Sequence, residues 1–127
     1  MAYAKEETEV AIHCAIADYL RLVVKPPNRW CTIEVSNQSS GKAAMLRQMA
    51  LKRRGVTTGW PDIQLLWCFG DSPPAFHIVF FEVKAKAGVL TEKQKALHKE
   101  LLDEGHSVFV VRSVEQVKSA LKAIRFI

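Results

Sequence analysis

The segment from Phe76 to Lys84 constrains the chain most. Phe76, Ile78, Phe80, Glu82 and Lys84 share one face of a strand drawn through it, and Val79, Phe81 and Val83 lie on the other. Both faces are apolar until the strand turns ionic at its end. A strand of that kind belongs in the interior of a sheet, with further layers covering it. Thr91-Glu92-Lys93-Gln94 then fits a capping box, opening a helix that runs to about Asp103 and ends at Gly105. His106 to Arg112 is a further apolar strand. Strand, helix and strand at this spacing form a crossover unit, whose two strands run parallel.

The remaining segments complete an α/β pattern. Val10, Ile12, Ile16, Tyr19, Leu20 and Val23 recur at near-helical spacing and predict a helix over 5–24, stopped by Pro26 and Pro27. Trp30 to Val35 reads as a strand and 36–41 as a polar loop. A helix over 42–53 follows, with Gly55 as its C-terminal cap. Residues 57–61 turn into a strand at 62–68, residues 70–74 close a hairpin, and Ser113-Val114-Glu115-Gln116 is a second capping box opening a helix to about Ile124. The order α-β-α-β-β-α-β-α implies a mixed sheet with helices on both faces. A length of 127 residues suits a single domain over 1–127.

Composition narrows the class. No apolar run is long enough to span a membrane, and the polar, acidic N-terminus is unlike a secretory signal, so a cytoplasmic protein is expected. Cys14, Cys31 and Cys68 are odd in number and form no CxxC pair, which speaks against a disulfide framework or a thiolate zinc site; each sits among apolar neighbours and is expected to be a small core residue. The net charge is +5, and Lys42, Arg47, Lys52, Arg53 and Arg54 fall in a stretch with no acid. Such a cluster can neutralise phosphates, or can simply be a solubilising helix face.

Some polar residues stand where folding alone would not put them. Glu82 and Lys84 end the most apolar strand, where a buried carboxylate is costly unless a cation compensates it; an ion pair at a frayed strand end is the alternative. Glu9 shares the inward stripe of the first helix with Ile12, His13, Ile16 and Leu20, although an acid near a helix N-terminus also favours the macrodipole. Asp62 opens a strand directly after Pro61.

Taken in order, Gly59-Trp60-Pro61-Asp62 and Glu82-Val83-Lys84 resemble the signature of the PD-(D/E)xK nuclease superfamily. More narrowly the chain is similar to the stand-alone VRR-Nuc domains of phages and bacteria. The resemblance takes in Glu9, the basic run ending in Arg53-Arg54-Gly55, Leu90-Thr91-x-x-Gln94, Gly105 and Ser113. It implies a restriction-endonuclease-like core, a bacterial or phage-encoded protein, and hydrolysis of DNA phosphodiesters with Mg2+, for which Mn2+ can substitute. It implies that Asp62, Glu82, the Val83 backbone carbonyl and Glu9 hold the metal, and that Lys84 acts as base or as electrostatic clamp. Gln94 lines the active site by resemblance, whereas the capping-box reading turns it back onto Thr91. Lys86, Lys93 and Lys95 flank the same end of the sheet and could touch the DNA backbone with the 42–54 cations.

Two positions depart from the family. His13 stands where Gln is common and is expected to pack or hydrogen-bond rather than ligate a metal; Trp60 replaces a smaller residue and is expected to brace its turn, with stacking near the substrate as the alternative. The chemistry accounts for the residue types, because a hard divalent cation takes oxygen ligands, neutralises phosphate and lowers the pKa of water. Similarity to Holliday-junction resolvases suggests a homodimer acting on branched DNA such as junctions or flaps. The competing readings are a non-catalytic nucleic-acid-binding module of the same fold and a sequence-specific restriction-type nuclease.

Overall fold

The computed structural model of the chain describes residues 7–33 and 41–127. Helix α1 covers Glu9–Val23, and the Thr8 hydroxyl caps it by accepting from the Ala11 N–H. Its buried residues Ile12, Ile16, Ala17 and Leu20 keep the expected spacing. Strand β1 (Arg29–Thr32), helix α2 (Lys42–Arg53), strands β2 (Ile63–Phe69) and β3 (Ala75–Val83), helix α3 (Glu92–Asp103), strand β4 (Ser107–Val111) and helix α4 (Val114–Ala123) follow in that order. The α/β class and the element order are those the sequence predicts. The expected extension of the first strand to residue 35, and nearly all of the polar loop after it, lie outside the described residues.

The four strands stand in the order β1-β2-β3-β4. The first three are antiparallel neighbours, and β3 and β4 are parallel, with Val79 opposite Ser107 and Val83 opposite Val111. β3 is an interior strand, as its two apolar faces require. On one face Val79, Phe81 and Val83 join Ile63, Leu65 and Val111 under Ile12, Ile16 and Leu20 of α1 and Val117, Ala120 and Leu121 of α4. On the other face Phe80 and Glu82 are buried, together with His98 and Leu101 of α3. The helices thus divide between the two faces, and the ionic end of β3 sits on the α3 side.

Three local expectations are corrected. The cysteines are not core: Cys14 and Cys31 are exposed and Cys68 is half-buried, all three as free thiols. Cys14 lies off the Ile12–Ile16–Leu20 stripe, and Cys31 lies on the edge strand β1, so apolar neighbours in sequence did not mean burial. The second capping box is half formed. Ser113 accepts from the Gln116 N–H, but the Gln116 side chain accepts from the Arg112 N–H at 2.7 Å instead of reaching the cap residue. Asp62 and Lys84 each lie one residue outside their strands.

Helix α2 has the predicted bounds, with Gly55 at positive φ just beyond it, yet it has no buried residue. Met45, Leu46 and Met49 are exposed on it beside its cations. Among the described residues no helix is long and apolar enough to cross a membrane.

Candidate active site

Asp62 is delivered by a turn that only glycine permits. Gly59 has φ +88°, and a Cβ there would stand 3.1 Å from the Lys93 backbone and 3.2 Å from the Gln94 nitrogen. The turn is therefore packed directly onto the first turn of α3. Trp60 braces it: its ring meets Phe80 edge-on at 5.6 Å, and its indole N–H donates to Gln64 at 3.4 Å. The buried Pro61 leads into Asp62.

Asp62 then bridges three strands' worth of backbone. Its carbonyl accepts from the Ile33 N–H at 2.7 Å, prolonging the β1–β2 pairing. Its carboxylate Oδ2 accepts from the Val83 N–H at 2.8 Å, where the β2–β3 ladder stops. Ile63 pairs with Phe81, so the next step of the register sets Asp62 opposite Glu82. Ile63 and Phe81 point into the α1–α4 core; by alternation Asp62 and Glu82 both point to the α3 face. An extended residue sends its N–H and C=O to the same side, which turns the Val83 carbonyl toward Asp62 as well.

Glu82 is 1 % exposed and Lys84 8 %. Burial, then the hydrogen bond and charge of neighbouring Asp62, push the Glu82 carboxyl up from 4.5 to about 9; Lys84 opposes the shift and the charge of Glu9 adds to it. Asp62, distant in sequence from Glu82 and Lys84, therefore shares one electrostatic neighbourhood with them, and Glu9 bears on it from the first position of α1, where it is exposed.

His98 completes the cluster, and sequence reasoning missed it. Its Nε2 lies 3.3 Å from Glu82 Oε1, with both side chains buried. Burial and the charge of Lys84 push the imidazole below its usual 6.5, against the pull of Asp62. Burial thus works against charge on both partners of this contact. The signal that could have found His98 is spacing: Gln94, His98 and Leu101 fall at i, i+4 and i+7 on one face of α3.

The other expected site residues fall into groups. Gln94 takes the capping role: its Oε1 accepts from the Thr91 N–H at 2.9 Å while Thr91 accepts from the Gln94 N–H. His13 bonds Thr32 at 3.0 Å, as a hydrogen-bonding residue and not a ligand would. Lys86 and Lys93 are exposed, in the loop after Lys84 and at the start of α3. That loop is fastened by Arg112, whose guanidinium donates to the carbonyls of Ala85 at 2.6 Å, Lys86 at 3.3 Å and Gly88 at 2.8 Å. Lys42, Arg47, Lys52, Arg53 and Arg54 lie on α2 and its C-terminal cap, a helix with no buried residue, in the segment that leads to the Asp62 turn.

Among the described residues no three His, Cys, Asp or Glu side chains form a group arranged for a metal ion. The acids that meet are Asp62 and Glu82. Their chemistry fits a hard divalent cation: the donors are oxygens only, and burial and the charge of Asp62 work against a charged Glu82 carboxylate, which a cation would offset.

The curated proteins and the solved structures yield no match. The family model of the VRR-NUC domain matches residues 4–115, a span that contains Asp62, Glu82, Lys84, Glu9 and His98. With that match over most of its length, the chain belongs to the VRR-NUC domain family, which implies a nuclease-type function.

Proposed function

We propose that the protein is a divalent-metal-dependent DNA endonuclease that hydrolyses phosphodiester bonds, selective for branched DNA and acting as a homodimer in one domain. The observation that carries the reading is the meeting of Asp62 and Glu82 on the α3 face, with Lys84 buried beside them.

Asp62, Glu82 and the Val83 carbonyl hold the cation, with Glu9 adding negative charge from α1. Bound there, Mg2+ or Mn2+ neutralises phosphate charge and makes water a better nucleophile near neutral pH. The Val83 N–H fixes the Asp62 carboxylate, so the ligand does not have to be ordered when substrate arrives. Lys84 places three N–H donors and a positive charge against the phosphoryl oxygens, where negative charge develops. Lys86, Lys93 and the α2 cations neutralise flanking phosphates. Dimerisation is supported by the small footprint of one domain, which a two-fold partner doubles, and paired cuts across a two-fold axis suit a branched substrate.

Cleavage of four-way junctions, flaps, single strands and linear duplexes, with Mg2+, Mn2+ or EDTA, tests the reading. Metal-dependent cutting biased to branched substrates is expected. Asp62→Ala should reduce it to background while leaving DNA binding in place. Binding without cutting in the wild type identifies the non-catalytic module instead, and discrete cuts at one sequence in linear duplex identify a restriction-type enzyme.

A further inference from the structure

We infer that His98 is a positioning residue for Glu82, donating from Nε2 to Oε1 and holding the carboxylate so that its other oxygen is presented to a cation shared with Asp62. The inference rests on the reading of Asp62 and Glu82 as cation ligands.

The geometry distinguishes this from a histidine that merely fills space. His98 is 6 % exposed and Glu82 1 %. A buried carboxylate needs a donor for any oxygen that does not face a cation, and leaving one unsatisfied is costly. A carboxylate accepts hydrogen bonds and cannot donate them. Among the described residues His98 lies 3.3 Å from Glu82 Oε1 with both side chains buried, in place to supply the donor. An apolar residue at this position of α3 would pack as well and leave the oxygen bare.

His98 is also held in register with the rest of the cluster. The Thr91–Gln94 capping box fixes the start of α3, and buried Leu101 anchors the next turn. The Gly59 turn, which delivers Asp62, packs on Lys93 and Gln94 of the same helix. One helix therefore references both carboxylates. Hydrogen bonds that orient metal ligands from behind are worth about 10–100-fold in metal affinity.

The test compares Mn2+ affinity, from the EPR signal of free Mn2+, for the wild type, His98→Leu and His98→Gln, alongside urea unfolding in EDTA. His98→Leu removes the donor, and Mn2+ affinity is expected to fall by about 10–100-fold. His98→Gln places an amide N–H near the position of Nε2, and affinity should return most of the way to the wild-type value. Affinity in His98→Leu equal to wild type overturns the inference, as does equal weakening in both variants. If His98→Leu does not fold, 15N NMR of the wild-type imidazole decides: a protonated Nε2 whose proton resonance moves on saturation with Mg2+ supports the role, and a bare Nε2 overturns it. A wild type that binds neither Mn2+ nor Mg2+ overturns the cation reading first and this inference with it, so the two failures are distinct.

Discussion

Glu82 is the residue on which the site's chemistry turns. Its carboxyl titrates near 9 in the folded chain against 4.5 unfolded. A group raised on folding favours the native state below its unfolded value, and that contribution is lost as pH climbs through the folded value. Stability of the metal-free protein should therefore drop progressively between about pH 4.5 and 9 on account of Glu82. His98 acts on the acid side: lowered from 6.5, it imposes no penalty above that pH, and stability declines below it as the unfolded chain takes up the proton first. Denaturant midpoints across pH in EDTA check both slopes. Asp62→Asn removes the charge of Asp62 and should flatten the alkaline slope; an unchanged slope would separate Glu82 from Asp62. Cation binding requires Glu82 to be ionised, so affinity should rise with pH and binding should release a proton, measurable by calorimetry in buffers of different ionisation enthalpy. Lys84→Ala should lower cutting on the order of 10²–10³-fold if the ammonium stabilises developing charge.

At the scale of elements, the turn into β2 and the first turn of α3 are one unit. Gly59→Ala meets both a positive φ and the Lys93–Gln94 backbone, so it should cost about 1–3 kcal/mol in urea unfolding and reduce cutting as Asp62 shifts. A variant as stable and active as wild type would show that the turn can move freely. Thr91→Ala opens the capping box and should cost about 1 kcal/mol. The strongest periodicities made β3, α3 and α4 legible, because a strand apolar on both faces and two capped helices have few other ways to bury their surface. Asp62 and Lys84 were legible through their spacing around Glu82, although the strands stop one residue short of each. His98 was not, since a single histidine in a helix is informative only when the face that meets β3 is known. Gln94 divided between two readings that spacing alone could not separate, and the side chain turns to Thr91. Gln116 shows the limit of the same motif, because the Arg112 amide competed successfully for its oxygen.

At the scale of the molecule, one end of the sheet carries the acids, and α2, Lys86 and Lys93 carry exposed cations that the proposed function assigns to a polyanion. Helix α2 buries no side chain, so substituting Lys52 and Arg53 by Gln should leave unfolding unchanged. DNA affinity should fall, and the slope of log K against log salt should become shallower by about 1 for each phosphate that is no longer neutralised. An unaltered slope would place the DNA elsewhere. The central claim is that Asp62 and Glu82 share a cation, and an anomalous difference map from crystals grown with Mn2+ tests it most directly. A peak within bonding distance of an oxygen from each carboxylate is the predicted result. A peak bound by only one of them, or none near either at saturating Mn2+, would contradict it.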